Sequence, residues 1–267
     1  MNNNYFTLYL GKINRKFMFI YLIMMLFATN VEASSAGDDA IYEPMYIVDM
    51  PNAGVLKEKH ISFSALAYTE GGVMLNLNAA FFKNFNVSIS YGASRIIGSG
   101  TPVGQKFPGV SLKYRIFDEK ESMPAIALGV STQGRGNWIK SLERFETLSP
   151  GVYVAVSKNF NWGLGDLAFH GGLGYSLEPV PNKRLPNAWF GVEQNIGGEF
   201  SIVSELNLII DSREYDISSD APLFNLGLKW SASEELTLQL QFRNVFSSYK
   251  TYNEFTRYLG IDFVTPF

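Results

Sequence analysis

The sequence predicts an all-β fold: a closed, antiparallel, up-and-down β-barrel of about twelve strands that spans a membrane. Three observations lead to this prediction. Short segments of alternating apolar and polar residues run from residue 60 onward, the connections between them alternate between short and long, and the chain ends on an apolar strand and Phe267. Each segment has about ten residues, the length of a tilted strand across a bilayer.

Composition limits the classes of protein to consider. The chain has 267 residues and a formal net charge of -3, so no basic surface for nucleic acid is expected. It contains no cysteine, which excludes disulfides, thiolate metal ligands and thiol nucleophiles. The mean hydropathy of +0.01 is far too low for a bundle of membrane helices. It suits a barrel, in which only alternate residues face lipid.

The beginning of the chain has the pattern of a secretory signal peptide. Lys12, Arg15 and Lys16 precede an apolar run over residues 17–28, and Ala33 is a small residue suited to cleavage. The run is shorter than the roughly 20 residues that a membrane-spanning helix needs. We therefore predict export followed by cleavage rather than a membrane anchor.

Three regions follow from this pattern. Residues 1–33 form the predicted signal peptide. Residues 34–59 contain Pro44 and Pro51, are mixed in character, and are predicted to form a partly ordered lead-in on the periplasmic side. The alternation starts after them, so the barrel is assigned to residues 60–267. The predicted location is the cell outer membrane, where single-chain barrels have an even number of strands.

The strands are predicted from alternation. In the second segment Val73, Leu75 and Leu77 lie on one face and Asn76 and Asn78 on the other, because successive side chains of a strand point in opposite directions. A soluble β-sandwich would alternate too. The polar faces here are poor in charge and rich in Gly, Ser, Asn and Ala, which suits a confined lumen. The twelve segments cover residues 61–65, 73–81, 85–92, 110–116, 126–131, 152–157, 169–176, 190–195, 205–210, 224–230, 236–243 and 259–264.

The ends of the segments also favour a barrel. Short turns alternate with longer outer loops, as in barrels of the bacterial outer membrane, and only Glu70–Gly72 departs from this. The short connections are 82–84, 118–122, 161–166, 197–199 and 232–234, and the long ones are 95–106, 132–148, 179–185, 212–221 and 247–255. Aromatic residues near the ends resemble interfacial girdles: Phe81, Phe82, Phe85, Tyr91, Phe107, Tyr114, Phe117, Phe160, Trp162, Tyr175, Trp189, Phe190 and Trp230.

The closing strand carries the predicted insertion signal. Leu259, Ile261 and Phe263 share one face, and Phe267 ends the chain. This end is similar to the C-terminal strand of bacterial outer-membrane barrels, which the insertion machinery reads. Pro266 departs from that pattern, because proline cannot donate a hydrogen bond to a strand ladder.

Closure of the barrel requires the first and last strands of the wall to pair with each other. Residues 259–264 should pair with the first strand near residues 61–66, which leaves no open edge. The partners expected for such a chain are outer-membrane lipid, the barrel-insertion machinery and periplasmic chaperones. No catalytic, cofactor-binding or metal-binding residues are predicted.

Several stretches resemble the YjbH-like outer-membrane barrel proteins. They are Pro108–Arg115, Pro124–Val130 and Gly151–Lys158, together with Ile96–Gly100 and Gly171–Gly174. The residues concerned belong to strands and turns. The resemblance implies a barrel associated with production or export of extracellular polysaccharide. It covers residues from about 56 to the end, and the chain is too short for the additional parts of larger members.

Parity places a set of polar side chains inside the predicted barrel. An unpaired charge in a poorly hydrated interior is costly, so opposite charges there should pair. They would form either a salt-bridged filling of the lumen or a polar constriction that selects solutes. The lumen-facing candidates are Lys113, Arg115, His170, Glu193, Glu205, Lys229, Gln239, Gln241, Arg243 and Asp262.

The function predicted from these features is non-enzymatic, and the resemblance implies that the barrel assists exopolysaccharide export or assembly. The alternatives are a narrow, porin-like solute channel and a lipid-acting barrel enzyme. His170 and Ser176 lie about 20 Å apart along one strand, at roughly 3.3 Å per residue, so they cannot form a catalytic dyad by themselves. The loop Gln133–Trp138 is expected to be an external loop, and the alternatives are that it folds inward or contacts glycans.

Overall fold

The computed structural model consists almost entirely of β-strands. It describes residues 43–163, 165–179, 184–210, 222–246 and 255–267. The signal peptide predicted over residues 1–33 and the loop predicted over residues 212–221 lie outside these ranges. Among the described residues, no helix is long and apolar enough to cross a membrane. A 3-10 turn, Thr69–Gly71, connects two of the strands.

Fifteen strands occur in the described residues. Twelve of them form the barrel wall, the short β4 pairs with the end of β3, and β7 and β8 pair with each other as a separate hairpin. The strands are β1 (His60–Tyr68), β2 (Gly72–Phe82), β3 (Phe85–Ser94), β4 (Val103–Gly104), β5 (Gly109–Phe117), β6 (Ala125–Ser131), β7 (Arg135–Ile139), β8 (Arg144–Thr147), β9 (Gly151–Trp162), β10 (Gly165–Tyr175), β11 (Asn187–Ile196), β12 (Phe200–Asn207), β13 (Leu223–Ser231), β14 (Leu236–Arg243) and β15 (Thr256–Pro266).

The wall is a closed antiparallel barrel. Each wall strand pairs with the next wall strand along the chain, and β1 pairs with both β2 and β15. Ile61 lies opposite Thr265 and Ala67 opposite Leu259, so the predicted closure is confirmed. The backbone N–H of Phe267 adds one bond, to the carbonyl of Lys59 at 3.0 Å. The predicted twelve-stranded fold is therefore the observed one.

Alternation sorts the side chains of the wall into two faces. Leu75, Leu112, Leu259 and Phe263 are among the large apolar residues that are exposed on the outside. Contact with water would cost about 25 cal/mol for each Å² of this apolar surface, whereas contact with lipid costs nothing comparable. The exterior is therefore built to face lipid.

Trp189 was wrongly assigned to the aromatic girdle. Its side chain is only 3% exposed and lies in the lumen, whereas that of its neighbour Phe190 is 49% exposed on the outside. Adjacent residues of one strand cannot share a face. The cluster of aromatic residues in the sequence therefore combines two different environments at this point.

Strand β12 differs in position from the predicted segment 205–210. It begins at Phe200 and ends at Asn207. Beyond it Ile209 has a φ of 42°, in the left-handed region, and its side chain turns inward. The side chain of Asn207 accepts a hydrogen bond from the amide of Ile209 at 3.1 Å. This local turn ends the strand although the apolar alternation continues in the sequence.

The two ends of the barrel differ in their connections. One end, here the short-turn end, carries both termini of the wall and the turns after β2, β5, β9, β11 and β13. The opposite, long-loop end carries the hairpin β7–β8 within the connection from β6 to β9. Long loops on one side only are typical of barrels of the bacterial outer membrane.

Residues 43–56, which we call the plug, lie inside the barrel. This corrects the expectation of a periplasmic lead-in for the described part of residues 34–59. Ile47, Met50 and Leu56 are each 1% exposed, and the plug turns back on itself, with Tyr46 opposite Pro51. Its apolar side chains give the physical reason, because the lumen removes them from water.

The apolar core of the protein lies between the plug and the wall. Its main cluster joins plug residues to Ala155, Trp189 and Val203 of the wall. Two smaller clusters pack Leu56 against Ala80 and Ala53 against small wall residues at the start of β6. The barrel is therefore solid where the plug runs through it.

Candidate functional site

The candidate site is the lumen with its plug, and the tip of the plug is held by one carboxylate. The backbone N–H groups of Val48, Asp49 and Met50 all donate to Oε2 of Glu205, at 3.0, 2.8 and 2.9 Å. Glu205 is 0% exposed. Successive N–H groups that converge in this way form a backbone nest for an anion. Glu205 therefore anchors the plug by its main chain.

Asp49 at the same tip points the other way, toward cations of the lumen. Its carboxylate pairs with Arg243 of β14 and lies 3.9 Å from Nε of Arg135. The side-chain amide of Asn225 donates to Asp49 at 3.1 Å and to Glu205 at 3.0 Å. Two neighbouring carboxylates, one from the plug and one from the wall, thus share one amide group. Asp49 has arginines as its further partners, and Glu205 has backbone N–H groups.

Lys113 of β5 holds the two arms of the plug together. Its Nζ donates to the carbonyl oxygens of Met45, Asn52 and Gly54, at 2.9, 3.1 and 3.0 Å. An ammonium group has three donors, and here all three are used on the plug. The charge is therefore solvated by main-chain oxygens of the plug in place of water.

Arg115 binds the beginning of the plug, near the short-turn end. Its Nη1 lies 2.6 Å from the carboxylate of Glu43, and its Nε lies 2.9 Å from that of Asp118. Burial raises the pKa of Glu43 above its ordinary value, and the nearby Arg115 guanidinium acts in the opposite direction. Arg115 therefore has one partner in the plug and one in the turn after β5.

A second polar cluster joins β9, β10, β11 and β13. Lys229 lies 3.2 Å from the carboxylate of Glu193, and Nε2 of His170 lies 3.9 Å from the same carboxylate. Nδ1 of His170 is 2.8 Å from Oγ of Ser157. Ser157 also accepts the amide of Ala53 at 3.0 Å, so the plug covers it.

This cluster contains serine, histidine and an acid, yet its geometry is not that of an activated nucleophile. Nε2 of His170 is beyond hydrogen-bond distance from Glu193, and the oxygen of Ser157 is buried against the plug, inside the lumen. Lipid lies on the other side of the wall. Ser157 lies opposite His170 in the pairing of β9 with β10. Spacing along a single strand cannot identify such a neighbour, because the two residues belong to different strands.

A row of hydrogen-bonded side chains lines the lumen on β14 and β15. Gln239 donates to Asp262, Gln241 donates to Gln239 at 2.9 Å, and Arg243 donates to Gln241 at 3.1 Å. The row leads to Asp49 through Arg243. It borders a cavity of about 60 Å³ beside the plug, which has room for only a few water molecules.

The hairpin β7–β8 closes the lumen above the plug. The guanidinium of Arg135 lies 4.6 Å from the centre of the Tyr46 ring, and the predicted loop Gln133–Trp138 therefore folds inward. Glu178 accepts the amides of Phe145 and Ser149, at 2.8 and 2.5 Å, which fixes the hairpin to the connection after β10. Burial raises the pKa of this carboxyl group.

The structure places all the predicted polar candidates on the lumen side of the wall. Four of them, Lys113, Arg115, Glu205 and Arg243, make ionic or hydrogen-bond contacts with the plug, and Lys229 lies 3.4 Å from the carbonyl oxygen of Tyr46. The others contact one another or Ser157. The plug partners themselves were missed by sequence analysis. The apolar character of residues 45–56, as strong as that of the wall strands, is the signal that could have indicated a buried position.

Comparisons with known proteins identify similar barrels and no family. No protein-family model matches the sequence, and no curated protein matches it. The NanC porin is 10% identical, with a TM-score of 0.45 over 78% of this chain and 99% of that chain. The KdgM porin is 10% identical, with a TM-score of 0.44 over 76% and 98%. Omp33 of Acinetobacter baumannii is 6% identical, with a TM-score of 0.40 over 78% and 97%. Similarities of this size leave the function to be argued from the lumen itself.

Proposed function

We propose that this protein is a non-enzymatic outer-membrane channel for small polar solutes, closed by its plug in the state described. One observation carries the proposal: a complete, closed wall surrounds a separate segment that fills its polar lumen. The plug adds no strand to the wall, and the β1–β15 pairing closes the barrel without it. Removal of the plug would leave the wall intact.

The chemistry of the lumen supports a channel over a permanently solid barrel. Burial of charges is expensive, and well-packed apolar residues usually replace a buried ion pair with equal or greater stability. The charged groups that bind the plug are nevertheless Lys113, Glu205 and Arg243. Such groups are well suited to a second state in which the plug has left and water solvates them.

The apolar exterior supports the membrane part of the proposal. The wall has twelve strands, with both ends on the short-turn side, as expected for single-chain barrels of the bacterial outer membrane. The signal peptide over residues 1–33 stays a prediction. The role in exopolysaccharide export or assembly also stays a prediction. A narrow lumen is better suited to a small polar solute than to a polysaccharide.

Planar-bilayer conductance tests the proposal. The purified wild-type protein should carry little steady current, and a variant lacking residues 43–56 should conduct steadily. Migration of unboiled and boiled samples on a detergent gel checks that each variant has a folded barrel. Asp49→Ala, which keeps the whole plug and removes its contacts with Arg243 and Asn225, should open intermittently. Absence of current from both variants, with folded barrels, would overturn the proposal.

A further inference from the structure

We propose that the open lumen takes carboxylate-bearing, oxygen-rich small solutes, and that the plug occupies the positions of their acidic and neutral oxygens. This inference rests on the proposed channel function and names its substrate class. The plug fills most of the lumen in the described part of the chain, so the groups that it presents to the surrounding side chains indicate what the lumen is suited to bind.

The charges that contact the plug are strongly unequal in sign. Five cationic side chains make direct contact with plug atoms in the described residues, and one carboxylate, Glu205, does so. The plug carries two carboxylates and has no lysine or arginine between residues 43 and 56. The cations are Lys113, Arg115, Arg135, Lys229 and Arg243.

Two carboxylates of the plug form ion pairs with guanidinium groups. Glu43 lies 2.6 Å from Arg115, and Asp49 pairs with Arg243. The planar guanidinium matches the two oxygens of a carboxylate in geometry as well as in charge. These two arginines lie on opposite strands of the wall circuit, β5 and β14, so the plug spans the lumen between them.

Neutral oxygens of the plug accept the hydrogen bonds of a third cation, Lys113. Lys113 contacts three carbonyl oxygens and no carboxylate of the plug. A hydroxyl-bearing or carbonyl-bearing solute offers the same acceptors. A ligand that has carboxylates separated by neutral oxygens could therefore make the same contacts as the plug with Arg115, Arg243 and Lys113.

Departure of the plug would leave the lumen positive. Lys113, Arg115 and Arg243 would lose plug oxygens that now solvate them, and Glu205 would lose three plug N–H donors, so three cations and one carboxylate would be freed. The carboxylates of Glu193 and Asp262 would keep Lys229 and Gln239 as partners. Positive side chains in a narrow lumen with low-dielectric walls concentrate anions and repel cations. The open channel should accordingly prefer anions.

The test uses the variant that lacks residues 43–56, in a bilayer with different KCl concentrations on the two sides. The reversal potential should report preference for chloride over potassium, and Lys113→Gln and Arg243→Gln should each lower the permeability ratio several-fold. Lys158→Gln is the matched control, because Lys158 pairs with Glu119 at the rim and should change the ratio little.

A second arm tests the carboxylate class. Citrate should block the chloride current of the variant lacking residues 43–56, and Lys113→Gln should weaken the block several-fold. Glycerol at the same concentration should not block. A conducting channel without anion preference, or one indifferent to citrate, overturns this inference and leaves the channel function standing. Absence of conductance from a folded barrel overturns the channel function instead.

Discussion

The carboxylates of Asp49 in the plug and Glu205 in the wall share the side-chain amide of Asn225, while the backbone N–H of Asp49 donates to Glu205 at 2.8 Å. Two negative groups are thus held side by side at the deepest point of the plug. The arrangement is stable only because three amides and Arg243 supply the compensating positive charge. Loss of either partner of this contact should therefore release the tip of the plug.

The variant Glu205→Ala should release the tip of the plug. Three amides would lose a charged acceptor, and each hydrogen bond to a charged group contributes about 1.5–3 kcal/mol. Single-channel recordings should show openings that are rare in the wild type, and Glu205→Gln, which keeps one acceptor oxygen, should show fewer. A folded Glu205→Ala barrel that stays as silent as the wild type would contradict this role for Glu205.

The variant Lys113→Met should loosen the plug without disturbing the wall. Methionine is similar in size to lysine but leaves the three plug carbonyl oxygens without their donor, an expensive loss inside the lumen. The chain contains no cysteine, so Ala53→Cys provides a single thiol in the plug, at a position that is 0% exposed. Labelling of this thiol by a maleimide should be many-fold faster with Lys113→Met than without it.

Two comparisons make the labelling result decisive. Ala232→Cys, on an exposed turn at the short-turn end, gives the rate for a free thiol. Leu75→Ala, on the lipid face, should leave the labelling of Ala53→Cys slow, because it touches no plug residue. Equal labelling of Ala53→Cys in the Lys113→Met and wild-type backgrounds would show that Lys113 does not hold the plug.

Deletion of Phe267 should impair insertion of the barrel and should not change the properties of inserted molecules. The residue adds a backbone bond to Lys59, and its ring lies 5.6 Å from that of Phe81 on the neighbouring surface. The amount of heat-modifiable protein in the outer-membrane fraction should fall, and Phe267→Trp, which keeps an aromatic ring, should restore most of it. Normal insertion of the deletion variant would refute the assignment of Phe267 as a signal.

The cluster of Ser157, His170 and Glu193 should have no hydrolytic activity. The serine oxygen accepts a hydrogen bond from the backbone N–H of Ala53 and faces away from lipid. Phospholipid vesicles incubated with the wild-type protein should release no fatty acid, and neither Ser157→Ala nor His170→Ala should alter the result. Release that both substitutions abolish would instead support the lipid-acting enzyme.

The correct and wrong predictions have one physical origin. Leu259 and Asp262 were assigned to opposite faces correctly, because the side-chain period of a strand is a local property. Trp189 was misplaced by grouping aromatic residues without regard to parity, and the segment 205–210 was placed too far along the chain because a left-handed turn at Ile209 interrupts an apolar pattern. Errors arose wherever composition was followed in place of backbone geometry.

The sequence by itself determined the wall: twelve strands, their order, the lipid and lumen faces, and the closing pair. These follow from alternation and from pairing between strands that are neighbours along the chain. Only the tertiary structure decided that the plug fills the lumen. The bond between Val48 and Glu205 joins residues 157 positions apart, and no periodicity links them. Their contact exists because the closed wall leaves one enclosed polar space, and the plug supplies both the apolar surface to fill it and the oxygens and amides to pair its charges.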